Sequence, residues 1–194
     1  NFAKKMLSLH HLIQISMSAQ KEVLNLLDKK YKAEVLADFR LARVSRETSL
    51  MGRREVLGGK AKFGIFGDGK EIAQIAMAKQ FKNGDFRSGY YRDQTFMMAI
   101  GALTVQEYFA ALYAQTDINK EPASGGRQMG GHFATRSLNE DGSWKNLMEQ
   151  KNSSADISPT AGQMPRLVGL ALASKVYRND QAMNEMTNFT NKGN

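Results

Sequence analysis

The sequence predicts an α/β fold that is rich in helix and carries an N-terminal helical arm. Through residues 1–57, apolar side chains recur every three or four positions, the spacing that gives a helix one apolar face. From Ala61 onward, short apolar segments alternate with glycine-bearing loops, the rhythm of helices and strands in turn. With 194 residues and 42% hydrophobic content, the chain suffices for one sizeable domain or for part of a larger one. The arm is placed over residues 1–60 and the domain over 61–194.

The first helix is read over residues 3–31, where Met6, Leu9, Ile13, Val23, Leu27 and Tyr31 fall at helical spacing. A second covers residues 33–57 and stops at Gly58 and Gly59, because glycine takes the left-handed turn that ends helices without a Cβ penalty. The stretch "FGDGKEIAQIAMAKQF" reads as a loop entering a helix, and "DFRSGYY" as a short strand. In "TVQEYFAALYAQ", Thr104 and Glu107 stand at the spacing of a capping box, so a helix starts there. Residues 116–156 are polar and rich in glycine, too long for an ordinary connection and therefore functional or mobile. "PRLVGLALASKVYR" closes as a helix with Pro165 in its first turn, where a missing N–H is tolerated.

No run of eighteen apolar residues occurs, so no membrane-spanning helix is predicted. The absence of cysteine excludes disulfides, thiolate metal sites and a cysteine nucleophile. "NFAKKMLSLHHLIQIS" reads as an amphipathic helix rather than a secretion signal, and a cytoplasmic location is the default. The formal charge of +8 is uneven: residues 1–60 hold 12 Lys and Arg against 6 Asp and Glu, whereas residues 61–194 hold 15 against 13. Lys4, Lys5, Lys21, Lys29, Lys30 and Lys32 alternate with apolar positions, which reads first as a solvated helix face, next as a dock for an acidic partner, and last as a nucleic-acid surface.

Most chemistry-bearing patterns are missing. "GDGK" at 67–70 lacks the surrounding phosphate-loop pattern and reads as a helix-entry turn. His10, His11 and His132 are scattered, so no metal ligand is assigned. The serine-hydrolase elbow and the zinc and calcium motifs are absent, and no catalytic acid or base is assigned. What remains is "SGYYRDQT" and "ISPTAGQMPRLVGLALASK", separated by "GGRQMGGHFATRSL". Arginine grips a diphosphate with two parallel hydrogen bonds, and Tyr91 beside Arg92 offers a third donor. Equally, Arg92 pairs with its neighbour Asp93, and Ser158 merely caps a helix. Both readings stay open on the residues alone.

In order along the chain, "GDGKEIAQIA", "GYYRDQT", "GGRQMGGHF" and "SPTAGQMPRLVGLALASK" resemble the alpha subunit of the thiamine-diphosphate-dependent 2-oxo acid dehydrogenases, in particular the branched-chain, 2-oxoisovalerate type, including forms with alpha and beta parts fused. The likeness spans residues 40–178. It implies a three-layer thiamine-diphosphate-binding α/β fold, here incomplete, as an N-terminal fragment that is truncated before the family's magnesium motif. By that resemblance Tyr91, Arg92, Ser158, Pro159 and Thr160 bind the cofactor, with Arg92 and Tyr91 on the diphosphate and 158–160 beside the aminopyrimidine. Tyr90 and Gln94 would line the substrate entrance. The implied cofactors are thiamine diphosphate and Mg2+, the latter with ligands beyond this chain. The implied partners are a beta subunit or beta part, a lipoyl acyltransferase core and a 2-oxo acid substrate, with neither nucleic acid nor membrane.

The resemblance has departures. Pyruvate-specific relatives carry a histidine two residues after the arginine, and Gln94 stands there instead, which points away from pyruvate. Ile157 and Gly162 replace two ligand-type positions of the potassium loop found in branched-chain relatives, which leaves that ion unassigned. Two other readings remain: a non-catalytic assembly or regulatory module of the same fold, and a basic helical nucleic-acid-binding protein.

Overall fold

The computed structural model describes residues 29–128, 130–155, 158–183 and 186–189. Its elements run α1 (Lys29–Leu57), α2 (Glu71–Gln80), β1 (Phe86–Ser88), α3 (Gln94–Ala99), α4 (Val105–Leu112), β2 (Asn152–Ser154) and α5 (Gln163–Asn179). The helix expected over 3–31 lies outside the described residues except for its last positions. These continue into α1 without the break expected at Lys32, because "KKYKA" contains neither glycine nor proline to interrupt helical bonding.

The end of α1 follows the sequence. Gly59 takes φ +75°, its N–H bonds the Val56 carbonyl at 3.0 Å, and the Lys60 N–H reaches the Glu55 carbonyl at 2.9 Å. Two carbonyls left over at the helix end are thereby satisfied in a Schellman motif. The chain divides into two units, Asn1–Arg40 and Leu41–Asn194. The second half of α1 thus belongs with the residues that follow it. The reason is the face formed by Ser45, Thr48, Ser49 and Gly52, which is buried in the second unit. In the first unit, the described turns of α1 leave Tyr31, Val35, Leu36 and Phe39 exposed.

The second unit is organised around Ala78, Phe96, Met97, Tyr108 and Phe133, with Phe66, Phe81, Leu103 and Phe109 packed against them. Burial of each large side chain contributes about 1.5–3 kcal/mol, and the Phe81 and Phe96 rings meet edge to face at 5.2 Å. This core joins α2 to α3, so the segment between β1 and α3 is held from below. The capping box at α4 forms as its spacing predicts, with Thr104 accepting from the Glu107 N–H and Glu107 from the Thr104 N–H.

The α/β expectation holds at that level. Among the described residues, β1 and β2 form a two-stranded parallel sheet with Phe86 opposite Asn152 and Ser88 opposite Ser154. Parallel pairing requires a crossover, and the helices between the strands supply it. α5 lies against β1. No described helix is long and apolar enough to cross a membrane.

The polar stretch that follows α4 is ordered by a carboxylate. Glu121 is only 2% exposed and accepts from the Ala123 and Ser124 N–H groups (3.1 and 2.9 Å), the Ser124 hydroxyl (2.6 Å) and the Gly126 N–H (2.9 Å). Burial alone would raise its pKa, but the Ser124 hydroxyl and the three amides outweigh burial and hold it below the usual carboxylate range. A pKa lowered by folding means stability that is complete above the unfolded-state value of about 4.3 and is lost as pH falls through the lower folded value. Glu121→Gln is therefore expected to cost about 1–3 kcal/mol at neutral pH. The deficit should shrink as acid neutralises the wild-type carboxylate, which denaturant titrations at pH 7 and below pH 4 will measure.

Candidate functional site

Residues 88–95 form the loop between β1 and α3, and the direction taken by Asp93 decides its chemistry. The Asp93 carboxylate does not pair with Arg92. Its Oδ2 accepts from Arg87 Nη2 at 2.6 Å and from the Tyr90 N–H at 2.9 Å. Arg87 in turn lies over the Phe96 ring, 4.7 Å from its centroid, so this ion pair is seated on the core. Arg92 is left without an ion-pair partner among the described residues. Its guanidinium lies 5.9 Å from the Tyr91 ring centroid, and its Nε is buried with no hydrogen-bond acceptor. A buried donor without an acceptor costs about 1–3 kcal/mol, so the arrangement favours an external acceptor for that N–H.

The backbone of the loop is clasped on both sides. A Cβ at Gly67 would collide with the Arg92 carbonyl, and one at Gly131, whose φ is +96°, would come 2.7 Å from the Tyr91 carbonyl. Only glycine fits at either position. Two of the sequence segments singled out, "GDGK" and "GGHF", therefore act here as close-approach walls for the third.

The candidate residues from distant segments come together. The Tyr90 and Tyr91 hydroxyls share a hydrogen bond at 2.5 Å, with ring centroids 3.9 Å apart. That bond lowers the Tyr90 pKa and raises that of Tyr91, and a further hydrogen bond from Thr160 also favours ionised Tyr90. Ser158 does not cap α5, whose N-cap is Gly162 without a side-chain bond. The Ser158 hydroxyl instead lies 3.1 Å from His132 Nε2. Pro159 is exposed, and its carbonyl accepts the Gly162 N–H at 3.1 Å. Tyr90, Tyr91 and Arg92 are half-buried on one side, while Ser158, Pro159 and Thr160 are exposed on the other.

Two residues of this cluster were not singled out from sequence. His132 was weighed only as a metal ligand, and its signal was its place in the segment between the two candidate loops. Lys70 was read as part of a helix-entry turn, yet its charge, like that of Arg92, favours ionised Tyr90. Among the described residues, no three His, Asp or Glu side chains are grouped to hold a metal, and His10 and His11 lie outside those residues.

Gln94, read from sequence as lining a substrate entrance, sits at the start of α3 against α1. It is 1% exposed, and its Nε2 donates to the Ser49 hydroxyl (2.5 Å) and the Ser45 carbonyl (3.1 Å), while its Oε1 accepts the Gly67 N–H (3.2 Å). The polar face of α1 draws it inward, because Gln94 gives the buried Ser49 hydroxyl a donor and the Gly67 N–H an acceptor.

A family model described as "Dehydrogenase E1 component" matches residues 41–188. The chain is also similar to the 2-oxoisovalerate dehydrogenase subunit alpha of Bacillus subtilis (strain 168), with 34% identity over 125 residues, 64% of this chain. The aligned part spans 33% of the length of that relative. The chain belongs to the dehydrogenase E1 component family.

The position of Gln94 generates a stability prediction. Gln94→Ala leaves the buried Gly67 N–H without its acceptor and the Ser49 hydroxyl without its donor, and a loss of about 1–3 kcal/mol is expected. A lower denaturant midpoint at an unchanged slope is the measurement that checks it.

Proposed function

We propose that this member of the family carries the diphosphate-holding side of a thiamine-diphosphate site. In the full-length protein it would serve the oxidative decarboxylation of a 2-oxo acid, branched-chain by preference, with transfer of the acyl group to a lipoyl arm. The observation that carries this reading is Arg92. Its Nε is buried and unsatisfied while the adjacent Asp93 is bound to Arg87. That geometry disfavours the plain Arg92–Asp93 ion pair and suits an anion arriving from outside.

Thiamine diphosphate, when bound, supplies the carbon chemistry of decarboxylation, and the protein supplies orientation and charge. Arg92 would hold the diphosphate, with Tyr91 as a further donor. Residues 158–160 would lie beside the flat ring, with the Ser158 hydroxyl held by its contact with His132. Tyr90, joined to Tyr91 and Thr160, would line the substrate entrance. Gln94, being buried, acts from behind the loop. Magnesium would take its ligands from outside the described residues. A beta chain, or a beta part of the same polypeptide, and a lipoyl-bearing acyltransferase are the partners that this reading entails. The branched-chain preference rests on the name of the Bacillus relative and on Gln94 standing at the pyruvate-type histidine position.

The test titrates thiamine diphosphate into the full-length protein and two variants. Arg92→Ala is expected to weaken binding by about tenfold to a hundredfold, the worth of hydrogen bonds to a charged group, with little change in melting temperature. Asp93→Ala strands Arg87 and should lower the melting temperature. Unchanged affinity in a folded Arg92→Ala protein would contradict the reading.

A further inference from the structure

The loop that presents Arg92 has a second support, on α2. Gln74 is 7% exposed and both ends of its amide are engaged. Its Nε2 donates to the Arg92 carbonyl at 3.0 Å, with a longer approach of 3.4 Å to Asp93 Oδ1, and its Oε1 accepts the Phe96 N–H at 3.0 Å. These backbone groups lie on either side of the entrance to α3. The first N–H groups of any helix need acceptors from outside it, usually the N-cap side chain. Asp93 occupies the N-cap of α3, yet it makes no side-chain cap bond, because its carboxylate is turned to Arg87 and the Tyr90 N–H. Gln74 supplies the missing acceptor from a neighbouring helix. In the same step it restrains the carbonyl of Arg92 itself. A residue with both a donor and an acceptor is required, which glutamine meets and glutamate or methionine does not.

We infer that Gln74 is a positioning residue for the anion site: it does not touch the cofactor but holds the 92–96 backbone so that the Arg92 side chain points away from Asp93. The inference rests on the reading of Arg92 as a diphosphate ligand. Without the Gln74 amide, α3 recruits the Asp93 carboxylate as an ordinary N-cap, Arg87 loses its partner, and the Arg92 guanidinium loses its fixed direction.

The experiment measures calorimetric binding of thiamine diphosphate and of thiamine, which lacks phosphate, to the full-length protein and to Gln74→Met, Arg92→Ala and the double variant. Gln74→Met is expected to weaken thiamine diphosphate by about three- to tenfold, the worth of a neutral hydrogen bond, and to leave thiamine unchanged. The double variant should bind no more weakly than Arg92→Ala alone, since both act through one group. If Gln74→Met fails to fold, Gln74→Glu, which keeps the acceptor for Phe96, takes its place in the same comparison. A variant that melts earlier but discriminates diphosphate from thiamine as wild type does would overturn the inference, as would additive losses in the double variant. Should Arg92→Ala itself bind thiamine diphosphate normally, the reading of Arg92 is what has failed, and the role of Gln74 fails with it.

Discussion

The site depends on which arginine takes Asp93. Arg87 does, at 2.6 Å and braced by the Phe96 ring, while the Tyr90 N–H closes on the same oxygen. One carboxylate thus ties β1, the loop and the start of α3 together, and its neighbour Arg92 is released from the ion pair that adjacency suggests. The Arg87 and Asp93 side chains are only 11% and 26% exposed, a setting in which removal of one partner leaves the other charge poorly solvated. The pair is therefore more consequential than an exposed ion pair, whose typical worth is below about 1 kcal/mol.

Around this pair, the fold seats the loop from several sides. Arg92 Nε is buried without an acceptor among the described residues. Gly67 and Gly131 admit the loop backbone from two sides, Gln74 holds it from α2, and Gln94 locks the following residues to the serine face of α1. Large apolar side chains are scarce on that face of α1, so a polar network does the joining there. Such a network is costly to break, because every buried member needs its partner.

The elements were largely legible from local chemistry. The glycine pair ended α1, Thr104 and Glu107 formed their capping box, and "DFRSGYY" held a strand, because each of these signals acts within one turn of chain. The convergence of Tyr90, Tyr91 and Arg92 with Thr160, and the contact between His132 and Ser158, join residues far apart in sequence, and only the ordered family-like motifs hinted at them. What could not be read was competition between partners. Adjacency suggested Arg92 with Asp93, but a salt bridge across the loop won because Arg87 is backed by an aromatic ring. Gln94 shared a motif with the site residues, yet two serines on α1 drew it inside.

The most direct measurement is a crystal structure of the full-length protein with thiamine diphosphate bound. The account predicts Arg92 nitrogens within about 3 Å of diphosphate oxygens, while the Asp93 carboxylate remains on Arg87. A diphosphate seated elsewhere, with Arg92 turned to a protein carboxylate, would contradict it.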